Sequence, residues 1–340
     1  MLRIFDEPFA NHTTLKLGGP AREWWRLEST AEIGRAVALA EADGVPFVIV
    51  GGGSNLVASD RGFPGRVLQV ANRGVTISGD EVTVAAGEPW DALVGLCVDE
   101  GLAGLECLSG IPGTAGATPI QNVGAYGQEV SDTIVAVEAY DRRVGHNVTL
   151  SPKECAFAYR DSAIKHDARW VVIGVTFALR RSRTASGLRY PELTKALGSG
   201  EEAPLAEVRS TVVGLRRAKG MVIDPTDPES CSAGSFFMNP ILGGDALADL
   251  EQRLATQPPR YAHGDRWKVP AAWLIERSGF TKGHGGPRVG ISKKHALALV
   301  HYGGGTTDEL LALARSIRDG VLAQTGVTLH NEPVLLGETL

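Results

Sequence analysis

Residues 108–128, LSGIPGTAGATPIQNVGAYGQ, run without a single charge and carry glycines at 110, 113, 116, 124 and 127. A surface loop is ordinarily polar. This one is small and apolar, with Ser, Thr, Gln and Asn as its conventional polar side chains. A buried irregular segment must still satisfy its backbone N–H and C=O groups. Small residues also let that backbone approach a large flat ligand closely. A bound cofactor would meet both conditions; an irregular loop packed inside the protein is the plainer alternative.

A second glycine-rich segment lies upstream. In FVIVGGGSNLVASD, residues 47–60, an apolar strand runs into three consecutive glycines, then Ser54 and Asn55. Consecutive glycines let N–H groups converge on an anion. The G-x-G-x-x-G fingerprint and the P-loop are both absent, and a flexible strand-to-loop turn is the competing reading. Together the two segments favour a diphosphate-containing cofactor more than either does alone. The candidate contacts are Gly51, Gly52, Gly53, Ser54, Asn55, Ser109, Gly110, Pro112, Gly113, Gly116, Ala117, Gln121, Asn122, Gly124, Ala125 and Tyr126.

Around these segments the chain alternates helix and strand signals irregularly. Ser29-x-x-Glu32 and Thr306-x-x-Glu309 are capping boxes. Pro89 opens PWDALVGLCVDEG, another proline opens PAAWLIERSG, and LAEVRSTVVGLRRAK is amphipathic. Strand signals fall on PFVIVG, RVLQV, EVTVAAG, TIVAVEAYD, WVVIGVTFALR and VTLHNEPVLLG. This is an α+β pattern, without the regular alternation of a doubly wound sheet. Its 340 residues suffice for two or three domains. Breaks are expected near residue 72 and near 225, where DPTDPES supplies two prolines.

A net charge of −5 argues against a broad nucleic-acid footprint. The four cysteines, Cys97, Cys107, Cys155 and Cys231, form no C-x-x-C pair, which fits a reducing compartment. Eight scattered histidines without ligand spacing give metal catalysis no support. The first residues do not resemble a signal peptide, and no uninterrupted apolar run could form a membrane helix. A cytoplasmic monomer is expected, without a membrane or nucleic-acid partner.

Three further side chains could carry chemistry. Arg160, in FAYRDSAIK, suits carboxylate recognition, although an Arg160–Asp161 surface cluster would look the same. Ser235, in SAGSFFMNP, is either a turn residue over a core or a hydroxyl held in a dry site. Glu332, in a terminal strand beside a proline, is on base rates a solvent-facing edge residue.

In this order, NHTTLKLGGPA, GGGSNLV, GIPGTAGATPIQNVGAYGQE, CAFAYRDSAIK, AGSFFMNP, AAWLIERSGF and a closing NEP resemble the UDP-N-acetylenolpyruvoylglucosamine reductase family. The resemblance implies an FAD-binding fold of the vanillyl-alcohol-oxidase type. Two subdomains, 1–71 plus 327–340 and 72–224, would hold non-covalent FAD, and 225–326 would bind substrate. It implies NADPH as hydride donor, with hydride passing from the flavin to the β-carbon of an enolpyruvyl ether. It puts the catalytic arginine on Arg160, the proton-donor serine on Ser235 and the catalytic glutamate on Glu332. Substrate contacts would fall on Tyr159, Lys219, Asn239 and Tyr190, the last in LRYPEL, which resembles the tyrosine loop of the longer family type. The chain departs from the family's pattern at Gly52, often acidic, and at Met238, commonly lysine. Another flavin oxidoreductase of the same fold and a non-catalytic nucleotide-sugar binding module are the alternatives. The first would make hydrogen peroxide without NADPH, and the second would purify colourless.

Overall fold

A computed structural model describes residues 1–198 and 200–340. Its contacts divide the chain into two units that are not contiguous in sequence. The first comprises residues 1–7, 21–53 and 64–217; the second comprises 8–20, 54–63 and 218–340.

The two larger sheets of the first unit have four and five strands. One runs in the order Leu2–Pro8, Pro20–Leu27, Phe63–Val70, Phe47–Val50, and its last pair is parallel. The other is antiparallel, in the order His146–Leu150, Ile134–Asp141, Trp170–Ala178, Glu81–Ala85, Val75–Ser78. Its central strand, WVVIGVTFA, has buried residues on both faces, so it reads as a continuous apolar run rather than an alternation. Helices Thr30–Ala42 and Trp90–Asp99 turn Ile33, Val37, Leu93 and Val94 into the same core as Val84, Val175 and Phe177. Helix Leu205–Ala218 places Val208 and Val212 on a smaller core with Leu188 and Leu193.

The second unit has a three-stranded sheet, Ser232–Ser235, Ala298–His301, Val289–Ile291, and a smaller one, Ile241–Leu242, Arg266–Lys268, Tyr261–His263. Helices Gly244–Leu254, Ala271–Arg277 and Thr307–Thr325 share a core with Phe236, Phe237, Leu299 and the N-terminal residues Leu15 and Leu17. Strand Val334–Leu336 pairs in parallel with Leu56–Ala58.

Three local expectations need correction. The Ser29–Glu32 capping box is half formed: Ser29 Oγ accepts from the Glu32 amide at 3.3 Å, but the Glu32 carboxylate accepts from the Glu28 amide instead. By contrast Thr306 and Glu309 bond reciprocally. SAGS is itself a short strand, not a turn. The terminal strand is shorter than VTLHNEPVLLG, because Pro333 has no N–H to give a ladder. Only Val334–Leu336 is strand, preceded by one isolated bridge at Asn331. Among the described residues no helix is long and apolar enough to cross a membrane.

Candidate active site

The first unit brings its two glycine-rich segments together. A Cβ added to Gly51 would lie 2.7 Å from Thr114 Oγ1, and one on Gly52 would lie 2.8 Å from the Gly113 Cα. Only glycine permits that approach. The loop is also fixed from behind. Amides of Gly110, Ala115 and Gly116 donate to Asp91 Oδ1, Glu88 O and Ala86 O at 2.6, 2.9 and 2.8 Å. Trp90 Nε1 donates to Leu108 O at 3.0 Å. Much of the loop's backbone is therefore satisfied by protein, where a cofactor had been expected to do that work. Asp91 is itself held between Gly110 and a bidentate Arg209. Burial raises its pKa, and those bonds outweigh burial, leaving it below the ordinary value.

Within the loop, Ser109 and Asn122 are almost wholly buried. Ser109 Oγ donates to Glu106 O at 2.7 Å. Asn122 Nδ2 donates to Glu129 Oε2 and Ala158 O, and its Oδ1 accepts from the Ser131 amide. The Asn122 side chain thus ties the loop to the segment that carries Arg160. Gly51, Pro112, Gly113, Ala117, Gln121, Gly124, Ala125 and Tyr126 stay partly accessible, Gly52 is exposed, and Gly53, Gly110 and Gly116 are buried.

Arg160 has φ 54°, the left-handed region. Its guanidinium donates through Nη2 to Gly124 O and through Nη1 to Asn122 O at 3.4 Å. Glu129 Oε1 lies 3.9 Å away, and the fork stands 5.4 Å from the Tyr159 ring centroid. Asp161 pairs with His166 at 2.6 Å. Gly124 allows the approach, since a Cβ there would come within 2.9 Å of Arg160 Nη1. Glu129, to which sequence reasoning gave no role, is signalled only by closing the GAYGQE segment.

Tyr190 precedes helix Pro191–Leu197 and is 42% exposed. It meets Tyr126 edge-on, with centroids 5.3 Å apart. Burial pushes the Tyr126 phenol up to about 12, so it is a hydrogen-bond donor at neutral pH. Arg216 lies within the electrostatic reach of Tyr126 and Asp91; burial lowers its pKa to about 10, and it keeps its charge.

The second unit holds the other two candidates. Phe237 bridges Asn331 antiparallel, the Glu332 amide donates to Phe236 O at 2.9 Å, and the Met238 amide to His330 O at 2.9 Å. Ser235 and Glu332, both half-buried, therefore stand on neighbouring segments of one antiparallel pairing. Asn55 Nδ2 donates to Glu332 O at 3.3 Å, and the Val334 amide to Asn55 O at 2.9 Å. Asn239 Oδ1 accepts from the Ala271 amide at 2.9 Å, capping a helix. Lys219 is half-buried beside Gly220, whose φ of 68° and closeness to Glu229 exclude a side chain.

Comparison with known proteins decides what this set of residues belongs to. A relative from Thermobifida fusca, a UDP-N-acetylenolpyruvoylglucosamine reductase, is 52% identical, with 98% of each chain covered. The chain belongs to the UDP-N-acetylenolpyruvoylglucosamine reductase family. A relative of the same name from Streptomyces coelicolor is 50% identical over 99% of this chain and 91% of its own. The family model for the reductase's C-terminal domain matches residues 225–336, and one for an FAD binding domain matches 25–151. The crystal structure of the reductase from Thermus caldophilus superposes with a TM-score of 0.68 at 25% identity, covering 98% of each chain. The α+β class and the FAD-binding fold read from the sequence both hold.

The residues present fit FAD. A neutral, amide-rich loop with small side chains suits a flat ring, and the Gly51–Gly53 turn followed by Ser54 and Asn55 suits a diphosphate.

Proposed function

We propose that this member of the family reduces UDP-N-acetylglucosamine enolpyruvate to UDP-N-acetylmuramate, with Arg160, Ser235 and Glu332 as its catalytic residues. Residues 51–55 and 109–126 would hold FAD, which, when bound and reduced by NADPH, would provide hydride chemistry at the β-carbon of the enol ether. Charge then develops on the substrate carboxylate, and a preorganised arginine fork stabilises it without reorganising. Arg160 suits that role because main-chain carbonyls already orient its guanidinium. Ser235 Oγ gives its proton to the α-carbon. A serine hydroxyl is a weak acid, and it can donate here because the enolate is strongly basic. Glu332 assists if it holds a proton or polarises a neighbour, since a bare carboxylate would repel the developing charge.

The observation that carries the assignment is the Glu332 amide bonded to the Phe236 carbonyl, which brings the segments carrying the glutamate and the serine into one antiparallel pairing. Tyr159, Tyr190, Lys219 and Asn239 are the proposed substrate contacts. The proposed domain roles are 1–71 plus 327–340 and 72–224 for the flavin and 225–326 for the substrate; the FAD binding model over 25–151 supports the flavin part, and the C-terminal model over 225–336 supports the substrate part while extending into the 327–340 segment. A cytoplasmic monomer that binds no nucleic acid completes the reading. Four free cysteines fit a reducing compartment, with Cys97 and Cys107 pushed by burial up to about 12.

Stopped-flow kinetics test the assignment. Ser235→Ala should be reduced by NADPH at the parent rate. Its reoxidation by the enolpyruvyl substrate should slow by at least ~10²-fold, the scale of a lost general acid. Normal reoxidation would remove Ser235 from the mechanism.

A further inference from the structure

Strand Ser232–Ser235 does not alternate regularly. Ser232 pairs with Val300 and Ser235 with Ala298, so three residue steps on one strand stand opposite two on the other. Paired residues of an antiparallel ladder share a face. Val300 and Ala298, two apart, are on one face, and so therefore are Ser232 and Ser235. Unbroken alternation would have put the two serines on opposite faces. The irregularity is a bulge across Ala233 and Gly234, with Gly234 at φ 75°. Bulges of this kind re-aim a side chain.

Two hydroxyls hold the bulge. Ser232 Oγ accepts from the Gly234 amide at 3.2 Å, closing the loop of the bulge on itself. Thr14 Oγ1 lies 2.6 Å from Ser232 O and 3.4 Å from Ser54 O. A hydroxyl has one hydrogen to donate, and the shorter contact takes it. The segment containing Thr14 is itself secured, because Leu15 O accepts from Cys231 Sγ at 3.3 Å and faces His301 Nδ1 at 3.0 Å.

We propose that Thr14 and Ser232 are positioning residues: they fix the Ala233–Gly234 bulge, and the bulge aims the Ser235 hydroxyl. This rests on Ser235 being the proton donor.

Thr14→Val keeps the side-chain shape and removes the donor. Reoxidation by the enolpyruvyl substrate should slow roughly 10- to 100-fold, the scale of a small misplacement of a reacting group. Reduction by NADPH should keep the parent rate, and the solvent deuterium isotope effect on reoxidation should rise as proton donation becomes the slow step. Thr14→Ser should restore the rate. Ser232→Ala should act in the same direction as Thr14→Val. In both slow variants the Gly234 amide should exchange with deuterium faster than in the parent. Added to Ser235→Ala, Thr14→Val should slow reoxidation no further. The proposal is overturned if Thr14→Val leaves reoxidation unchanged, slows both half-reactions alike, or slows reoxidation as much without Ser235. Parent-rate reoxidation of Ser235→Ala alone would instead sink the proton-donor reading.

Discussion

Arg160 occupies a backbone conformation that costs a residue with a side chain about 1–3 kcal/mol, and its surroundings hold it there. Lys165 Nζ donates to its carbonyl at 2.9 Å, while Gly124 O and Asn122 O take the guanidinium. Such strain is retained where geometry matters more than stability. A lysine would keep the charge but lose the planar fork. Arg160→Lys should therefore slow substrate-driven reoxidation by about 10²- to 10³-fold, the scale of one lost electrostatic donor. Stopped-flow comparison with the parent checks this, and a change below threefold on the roughly 10²-fold scale would contradict it. The sequence made Arg160 a candidate beside the plainer reading of an Arg160–Asp161 surface cluster; that Asp161 meets His166, five residues on, was not announced by the sequence.

The strand Ile134–Asp141 ends on a carboxylate that is 1% exposed. Arg169 bonds Asp141 bidentately, and the Arg143 amide adds a third donor. The bond to Arg169 is the main cause that holds the Asp141 pKa at about 2. A depressed carboxylate pKa stabilises the fold above the unfolded value of about 4, and that contribution is lost as pH falls toward 2. Asp141→Asn should lower the thermal midpoint at pH 7 and flatten its decline between pH 4 and 2. Thermal melts across that range check it, and parallel curves for parent and variant would contradict it. TIVAVEAYD announced the strand, but nothing local announced that its last residue would meet an arginine 28 positions away.

At the scale of the molecule, the second unit is assembled from three separate stretches of chain. Leu15, Leu17 and Val57 lie in its core at 4% exposure or less, and Leu56–Ala58 gives strand Val334–Leu336 its partner. Asp60 caps the long helix, accepting from the Thr307 and Asp308 amides at 2.9 and 3.0 Å. Each missing core side chain removes about 1.5–3 kcal/mol of burial, against a total stability of only about 5–15 kcal/mol. The fragment 218–340 expressed alone should therefore lack the cooperative thermal transition that the full chain should show. A sharp transition in the fragment, followed by circular dichroism, would show that the N-terminal stretches are dispensable.

The sequence by itself determined the α+β class, most helices and strands, and the two glycine-rich segments. Those depend on side-chain period, capping residues and the small size of glycine, all local properties. Only the tertiary structure decided which distant segments the candidate residues meet. Ser235 read as a turn residue, because a bulge is defined by pairing with a distant strand. Glu332 read as an exposed edge, because its neighbour Phe236 lies almost a hundred residues away, a separation that no local pattern encodes. The Asn122 side chain bonds Glu129, Ala158 and Ser131, partners that its type alone does not name. Hydrogen-bond partners are chosen only when distant segments meet, so a residue's type states what it can bond, and the fold states to what.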